Sequence, residues 1–323
     1  MLKYTIKRVL LMLLTFLIII SLCFVLIRLL PDTDPDQFGQ DAELVKQRRI
    51  QLGYLDEEGN PVPIMLQYVR FLRRTLLGGD WGIGEKTMYK NQNVWDVFVE
   101  KLPATVVVNL WSLLLSVPIG LLLGIYAALK KNKWQDHVIS TVVMIFVSVP
   151  SYIYAFLVQY LLCFKLQWFP PMMNEGTNLF TWDMFVSMLP AIFSLSFGVI
   201  AGLTRYTRAE LTEVLTSEFM LLARTKGLTK EQAVVRHALR NAMVVILPMI
   251  IGEFLSIMSG SLIIEQIFGI PGVGELYINS ITALEYNYFM LLTSFYTFIG
   301  LAAGIVIDIS YGFIDPRIRM GAK

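Results

Sequence analysis

The sequence predicts an all-α integral membrane protein with six transmembrane helices and a long extracytoplasmic loop after the first. Three observations carry this. Hydrophobic residues make up 55% of the 323 residues and charged residues 16%, with a mean hydropathy of +0.60. A soluble domain of this length is poorer in apolar residues and richer in charge. Six apolar runs are long enough to cross ~30 Å of hydrocarbon, and, apart from the long first loop, whose several basic residues obey the positive-inside rule weakly, the basic residues gather in one set of connecting segments.

Residues 1–8 are short and basic, and residues 9–30 form the first apolar run. Its core exceeds the ~7–15 residues of a signal peptide, and no small-x-small cleavage site follows. Leu22 is too large for a lipoprotein site at Cys23. The run is therefore read as a retained helix. Residues 31–103 are polar and too long for a plain loop, so a small folded piece is expected, with helices near 41–52 and 63–76. The first is charged and solvated. The second places Met65, Tyr68, Val69, Leu72 and Leu76 at helical spacing, an apolar stripe that can pack on the membrane bundle.

The remaining runs are 104–129, 138–164, 185–203, 242–264 and 288–311. Pro118, Pro150, Pro190 and Pro248 fall inside them. Proline in a lipid-embedded helix frees a carbonyl and kinks the helix, which neighbouring groups or water can accommodate. Gly120/Gly124, Gly198/Gly202 and Gly300/Gly304 each form a Gly-x-x-x-Gly face, a pattern that lets helices approach closely.

Basic residues set the orientation. Lys3, Lys7 and Arg8, Lys130, Lys131 and Lys133, the cluster from Arg205 to Arg240, and Arg317, Arg319 and Lys323 all fall on one side if the N-terminus is inside. Both termini are then cytoplasmic. The organisation becomes a tail and first helix (1–30), an extracytoplasmic segment (31–103), a helical core (104–311) with a cytoplasmic segment at 205–241, and a C-terminal tail (312–323).

That cytoplasmic segment reads helix, tight turn, helix. Residues 209–226 have helical composition. Gly227 stands where a helix C-terminus favours a residue free to take positive φ, and Thr229 with Gln232 matches a capping box. Such an elbow is a rigid knob that can pass a push into the helices it joins.

Other candidate residues lie near the fifth and sixth helices. Glu253 falls in the fifth, where a carboxylate is costly unless it lines a polar path or bonds to another helix. Asp308 lies near the inner end of the sixth and suits pairing with Arg317 or Arg319. After Ser259 and Ser261 come Glu265, Phe268, Gly269, Pro271, Gly272 and Gly274, a turn-rich stretch at the outer end of the fifth helix. A loop at a pore mouth can gate or receive a ligand; helix termination alone also accounts for the spacing and is preferred on it.

Several functions are excluded. The net charge of +2 advertises no nucleic-acid surface. Cys23 and Cys163 sit in apolar runs and suit packing. His137 and His237 lack zinc spacing, so no metal or cofactor is implied. No Gly-Lys dipeptide occurs, so the phosphate loop of an ATPase is missing, as are His-Glu-x-x-His and Gly-x-Ser-x-Gly.

The stretch Ala223-Arg224-Thr225-Lys226-Gly227, followed by Arg236-His237-Ala238-Leu239-Arg240-Asn241 and Leu247-Pro248, resembles the EAA loop of ABC importer membrane subunits. The acidic residue stands at Glu218, with Phe219 at the first position of the pattern. Gly260-Ser261-Leu262-Ile263-Ile264-Glu265-Gln266-Ile267-Phe268-Gly269-Ile270-Pro271-Gly272-Val273-Gly274, Asp315-Pro316-Arg317 and Gly79-Asp80-Trp81-Gly82 resemble the dipeptide/oligopeptide permease branch, in its B-type form. The resemblance covers essentially the whole chain. It implies a type I ABC importer permease fold in a bacterial cell membrane. The partners implied are a second homologous permease, two cytoplasmic ATP-binding subunits and an extracytoplasmic peptide-binding protein. It implies ATPase contacts at Glu218, Phe219, Ala223, Arg224, Lys226, Gly227, Leu228 and Arg236, a pathway near Glu253, Ser259 and Ser261, and an outer gate from Glu265 to Gly274. Nickel chelates or glutathione are alternative cargoes. An ion-coupled secondary transporter is the rival mechanism; the chain shows no convincing inverted repeat and few intramembrane charges.

Overall fold

The computed structural model describes residues 2–30, 42–85, 89–176 and 178–314. These are helical: α1 (Leu2–Leu29), α2 (Ala42–Gln51), α3 (Ile64–Gly78), α4 (Val94–Leu129), α5 (Trp134–Ser148), α6 (Ser151–Val158), α7 (Trp182–Leu215), α8 (Glu218–Thr225), α9 (Lys230–Ala233), α10 (Leu239–Ser256), α11 (Leu262–Ile267), α12 (Val273–Thr282) and α13 (Tyr286–Ile314). The described chain divides into two units, residues 104–270 with 303–314, and residues 2–103 with 271–302.

Among the described residues, five helices are long and apolar enough to cross a membrane, Thr5–Leu29, Val94–Leu129, Trp182–Leu215, Arg236–Ser259 and Tyr286–Ile314. The sixth expected crossing, 138–164, is not one rod. α5 and α6 meet at 103°, and α6 widens into a π-helix over Gln159–Lys165. The break follows from Pro150, which biases its predecessor away from the helical region; Val149 is extended, with φ −92° and ψ 129°. Pro118, Pro190 and Pro248 leave their helices unbroken. The fifth run also stops early: Gly260 has φ +61°, and residues 262–264 belong to the separate helix α11.

The first unit is built around α7, which packs on α5, α6 and α10. Thr181 caps its start by accepting the Met184 N–H at 3.3 Å. Small side chains let α4 come close to α7. A Cβ on Gly124 would stand 2.5 Å from Thr207 Cβ and 2.9 Å from the Thr204 carbonyl, and one on Gly120 would stand 2.8 Å from Leu203 Cβ. The same seam carries polar bonds. Ser112 and Ser196 share a hydrogen bond of 3.2 Å, and the Thr204 hydroxyl donates to the Gly120 carbonyl at 3.2 Å. The close approach expected of a Gly-x-x-x-Gly face is thus realised at Gly120/Gly124. Gly198 approaches Tyr154, whose Oη would stand 3.1 Å from an added Cβ, whereas Gly202, Gly300 and Gly304 meet nothing within 4 Å, so no second helix backbone closes on those faces among the described residues.

The second unit gathers α1, α3, α12 and the first turns of α4 and α13. Ile20, Phe24 and Ile27 pack with Tyr54 and Phe71, and Val94, Phe98, Leu276 and Tyr288 form a neighbouring cluster. Gly79 ends α3 with φ +62°. Asp80 Oδ1 then accepts the Gly82 N–H at 2.8 Å, and Asn287 Nδ2 donates to the Ile83 carbonyl at 3.0 Å. The Gly-Asp-Trp-Gly sequence is therefore a turn held to the start of α13.

At Gly124, the tightest point of the α4–α7 seam, one neighbour is backbone and cannot swing aside. Gly124→Ala is expected to lower the stability of the detergent-solubilised chain by about 1–3 kcal/mol through overpacking, read as an earlier thermal unfolding midpoint. Gly202→Ala, with open space, is the matched control expected to leave it unchanged.

Candidate functional site

The elbow between α7 and α10 forms as local chemistry dictates. α8 ends at Thr225, and Gly227 takes φ +91°. The Thr229 N–H donates to Gln232 Oε1 at 3.2 Å, while the Gln232 N–H donates to Thr229 Oγ1 at 3.3 Å. The two orphan donors of the next helix start are satisfied reciprocally. The chain then passes through α9 and a π-helical turn, Val234–Ala238, into α10.

Ala223 is buried, packed with Met220, Leu211, Ala233, Ala238, Ala242 and Ile246. A small residue here lets the elbow fold back on its own helices. Nothing lies within 4 Å of a Cβ added to Gly227, so glycine is required there for its backbone angle and not for space. Leu228 is half-buried, and Glu218, Lys226 and Arg236 are exposed. The side chains of Phe219 and Arg224 lie outside the described residues. Two apolar residues that the sequence reading passed over, Leu221 and Leu222, are 66% and 56% exposed on α8. The signal available for them was the amphipathic spacing of α8 itself. A cavity of about 560 Å³ lies beside them, lined among others by Lys131, Lys133, Thr212, Glu218 and Ala233.

The root of the elbow is pinned by a pair that sequence reasoning also missed. Asp136, 1% exposed at the start of α5, takes a two-pronged contact from Arg208 of α7, with Nη2 2.8 Å from Oδ2. The Asn132 N–H adds a bond of 2.9 Å and the Ser140 hydroxyl one of 3.4 Å. The planar guanidinium fork suits two parallel bonds to one carboxylate.

Farther along α10 lies a cavity of about 160 Å³ with mixed polar and apolar walls. It brings together the three nominated pathway residues Glu253, Ser259 and Ser261, and adds Asn109 and Ser112 of α4. The side chain of Glu253 makes no hydrogen bond or ion pair with any described residue. Glu253 thus lines this cavity and makes no side-chain bond to a neighbouring helix among the described residues.

The stretch from Glu265 to Gly274 differs from an open loop. Glu265 and Phe268 are each 1% exposed. Glu265 Oε1 accepts the Thr105 hydroxyl at 3.0 Å, and the Phe268 carbonyl accepts the Met173 N–H at 2.9 Å. The cause is α11, a short helix that turns both side chains inward. Gly269, with φ +59°, makes the turn that follows, then come Pro271 and Gly272 before α12, with Gly274 in its first turn. In α12, burial pushes the Glu275 carboxyl above the usual range, opposed by Lys101 and Asn279. Asp308 sits in α13; its suggested partners, Arg317 and Arg319, lie outside the described residues. Among the described residues, no cluster of His, Cys, Asp and Glu is placed to hold a metal ion.

Helices throughout the described residues, five of them long and apolar enough to cross a membrane, define an integral membrane protein. The family described as "Binding-protein-dependent transport system inner membrane component" matches residues 120–320. The dipeptide transport system permease protein DppB of Lactococcus lactis subsp. cremoris is 31% identical, covering 99% of this chain and 100% of that one. DppB of Bacillus subtilis is 30% identical over the full length of both. The oligopeptide transport system permease protein OppB of Salmonella typhimurium is 32% identical, covering 99% of this chain and 100% of that one. The chain belongs to this family of inner membrane transport components. Its fold, the type I ABC importer permease fold, is similar to that of a chain of the inward-facing MetNI methionine ABC transporter. That match has a TM-score of 0.51 at 15% identity, over 67% of this chain and 97% of the other.

Removing one partner of the Asp136–Arg208 pair strands the other. Asp136→Ala is expected to cost about 1.5–3 kcal/mol, the range for hydrogen bonds to charged groups. Chemical denaturation of the purified chain reads this, and the double variant Asp136→Ala/Arg208→Ala should recover part of the loss.

Proposed function

We propose that this chain is the membrane-spanning permease subunit of an ATP-driven importer of peptides and forms half of the translocation pathway. Its partners in this reading are a second, homologous permease, two cytoplasmic ATP-binding subunits and an extracytoplasmic peptide-binding protein. Hydrolysis occurs in the ATP-binding subunits. Both termini and the elbow face the cytoplasm of a bacterial cell, in line with the basic residues around Lys130–Lys133 and Arg205–Arg240. The names of the dipeptide and oligopeptide relatives support peptides as cargo.

The observation that carries the reading is the elbow. It is a short helix with two exposed leucines, closed by Gly227 at φ +91° and restarted by a capping box, and it runs directly into α10. Glu218, Lys226 and Arg236 ring a surface on which an ATP-binding subunit can seat, with Phe219, Arg224 and Leu228 in the same stretch and Ala223 as its packed base. In transport, closure of the ATP-binding pair pushes α8, and α10 carries the displacement toward Glu253, Ser259 and Ser261. Those residues offer a carboxylate and two hydroxyls to a peptide's polar backbone and amino terminus. The outer gate in this reading runs from Glu265 through Phe268, Gly269, Pro271 and Gly272 to Gly274, with Glu265 and Phe268 as its packed base.

Gly227→Asp forces an L residue into a left-handed backbone at a cost of about 1–2 kcal/mol. In the reconstituted transporter it is expected to leave assembly intact and to cut ATP-dependent peptide uptake by roughly tenfold or more, the equivalent of 1.4 kcal/mol. Uptake at the unmodified rate, or uptake that persists without ATP, would count against the reading. Glu253→Gln keeps the shape and removes the charge; loss of a charge-assisted bond to cargo is expected to slow uptake by about tenfold, with ATP hydrolysis still responsive to the binding protein.

A further inference from the structure

α3 buries only part of its apolar surface. Ile64, Tyr68, Phe71 and Leu72 pack toward α1 in the cluster with Ile20, Phe24 and Ile27. Tyr68 Oη and Ser21 Oγ share a hydrogen bond of 2.6 Å, and the Phe71 and Phe24 ring centroids are 5.1 Å apart. The rest of the apolar arc is bare: Met65, Leu66, Val69, Leu76 and Leu77 are all exposed, Leu77 by 82%. A helix in water turns polar residues outward, and a contiguous exposed apolar face of this kind marks an interaction surface.

The surroundings say what covers it. α1 is long and apolar enough from Thr5 to Leu29 to cross a membrane, and its own exposed leucines, among them Leu10, Leu14, Leu22 and Leu26, form a surface suited to lipid. α3 touches α1 at Ser21 and Phe24, roughly 8–12 Å along the axis from Leu29 at 1.5 Å per residue. One leaflet's hydrocarbon is about 15 Å deep, so α3 stands at leaflet depth beside a lipid-facing helix. A cavity of about 400 Å³ opens between α1, α3 and the first turns of α13, lined by Phe16, Ile20, Leu76, Trp81, Trp95 and Phe298 and almost wholly apolar. Arg73 projects from within this arc, one turn from both Val69 and Leu77, and Arg70, which donates to the Gly53 carbonyl at 3.2 Å, borders it. Arg73 is exposed, whereas the Arg74 guanidinium nitrogens are buried, with Nε 3.9 Å from the Asp80 carboxylate. Cationic side chains beside an apolar helix face match the phosphate and acyl parts of a phospholipid.

We propose that α3 lies in the membrane leaflet and not in water, with its bare face against phospholipid tails, one of which fills the cavity while the long Arg73 side chain extends from that face to the phosphate. The inference rests on α1 being a membrane span and not on which cargo is carried.

The test uses the assembled transporter in lipid nanodiscs, with Cys23 and Cys163 replaced and a spin label placed at Val69 or Leu77. Both positions are exposed, so labelling leaves the packing intact. Collision with oxygen, which partitions into lipid, is compared with collision with a water-soluble nickel chelate. Labels at Leu14 and Lys133 serve as lipid and water references. The expected result is an oxygen-to-nickel ratio close to that at Leu14 and at least about threefold above that at Lys133, as for a helix sunk in the interface. A ratio at the Lys133 level would overturn the proposal. So would low collision with both reagents that rises when the binding protein is withheld, because the occupant would then be protein.

Discussion

The seam between α4 and α7 is the constraint on which the first unit depends. Gly120 and Gly124 bring the two backbones together, and hydroxyls at Ser112, Ser196 and Thr204 bond across the gap. Lipid gives helices no hydrophobic reason to associate, so small residues and interhelical polar bonds must supply it. At one end of the seam, Arg208 of α7 grips Asp136 just beyond the end of α4. Along its length, Asn109 and Ser112 from α4 and Leu195 and Val199 from α7 form two walls of the cavity. One packing arrangement thus fixes both the root of the elbow and the shape of the space that holds Glu253.

α10 joins these two places. It begins where the elbow ends and carries Glu253 about 20 Å farther along its axis at 1.5 Å per residue. Pro248 lies between them and does not break the helix. A displacement at α8 therefore has a continuous element through which to reach the cavity. The buried alanines at 223, 233, 238 and 242 keep the elbow folded against α7 and α10, a packing that the proposed mechanism requires for a push to pass into α10.

Local features were legible in the sequence. The capping box, the positive φ of Gly227 and the helices at 42–51 and 64–78 each depend on neighbours within a few residues. Long-range features were not. Asp136 and Arg208 are separated by 72 positions, and nothing local distinguishes that arginine from the other basic residues around it. Pro150 was visible as a kink, but a proline alone does not say whether a helix bends a little or turns through 103°; here α5 and α6 each pack on α7, and that packing fixes the angle. Glu265 looked like part of an outer loop because glycines and a proline follow it. Its burial depends on Thr105, 160 positions away, and no spacing rule reports such a partner. Ser259 and Ser261, which line the cavity, were singled out because a distinctive motif drew attention to them, while Asn109 and Ser112, which line it too, carried no such mark.

The central claim is mechanical: elbow and cavity move as one body. Spin labels at Lys226 on the elbow and Ser256 beside the cavity, in the assembled transporter lacking Cys23 and Cys163, give their separation by pulsed dipolar spectroscopy in nucleotide-free and ATP-trapped states. The account predicts the same distance in both states while the separation from Ser256 to a label on the second permease changes. A Lys226–Ser256 distance that shifts with nucleotide while Ser256 stays fixed against the second permease would contradict it.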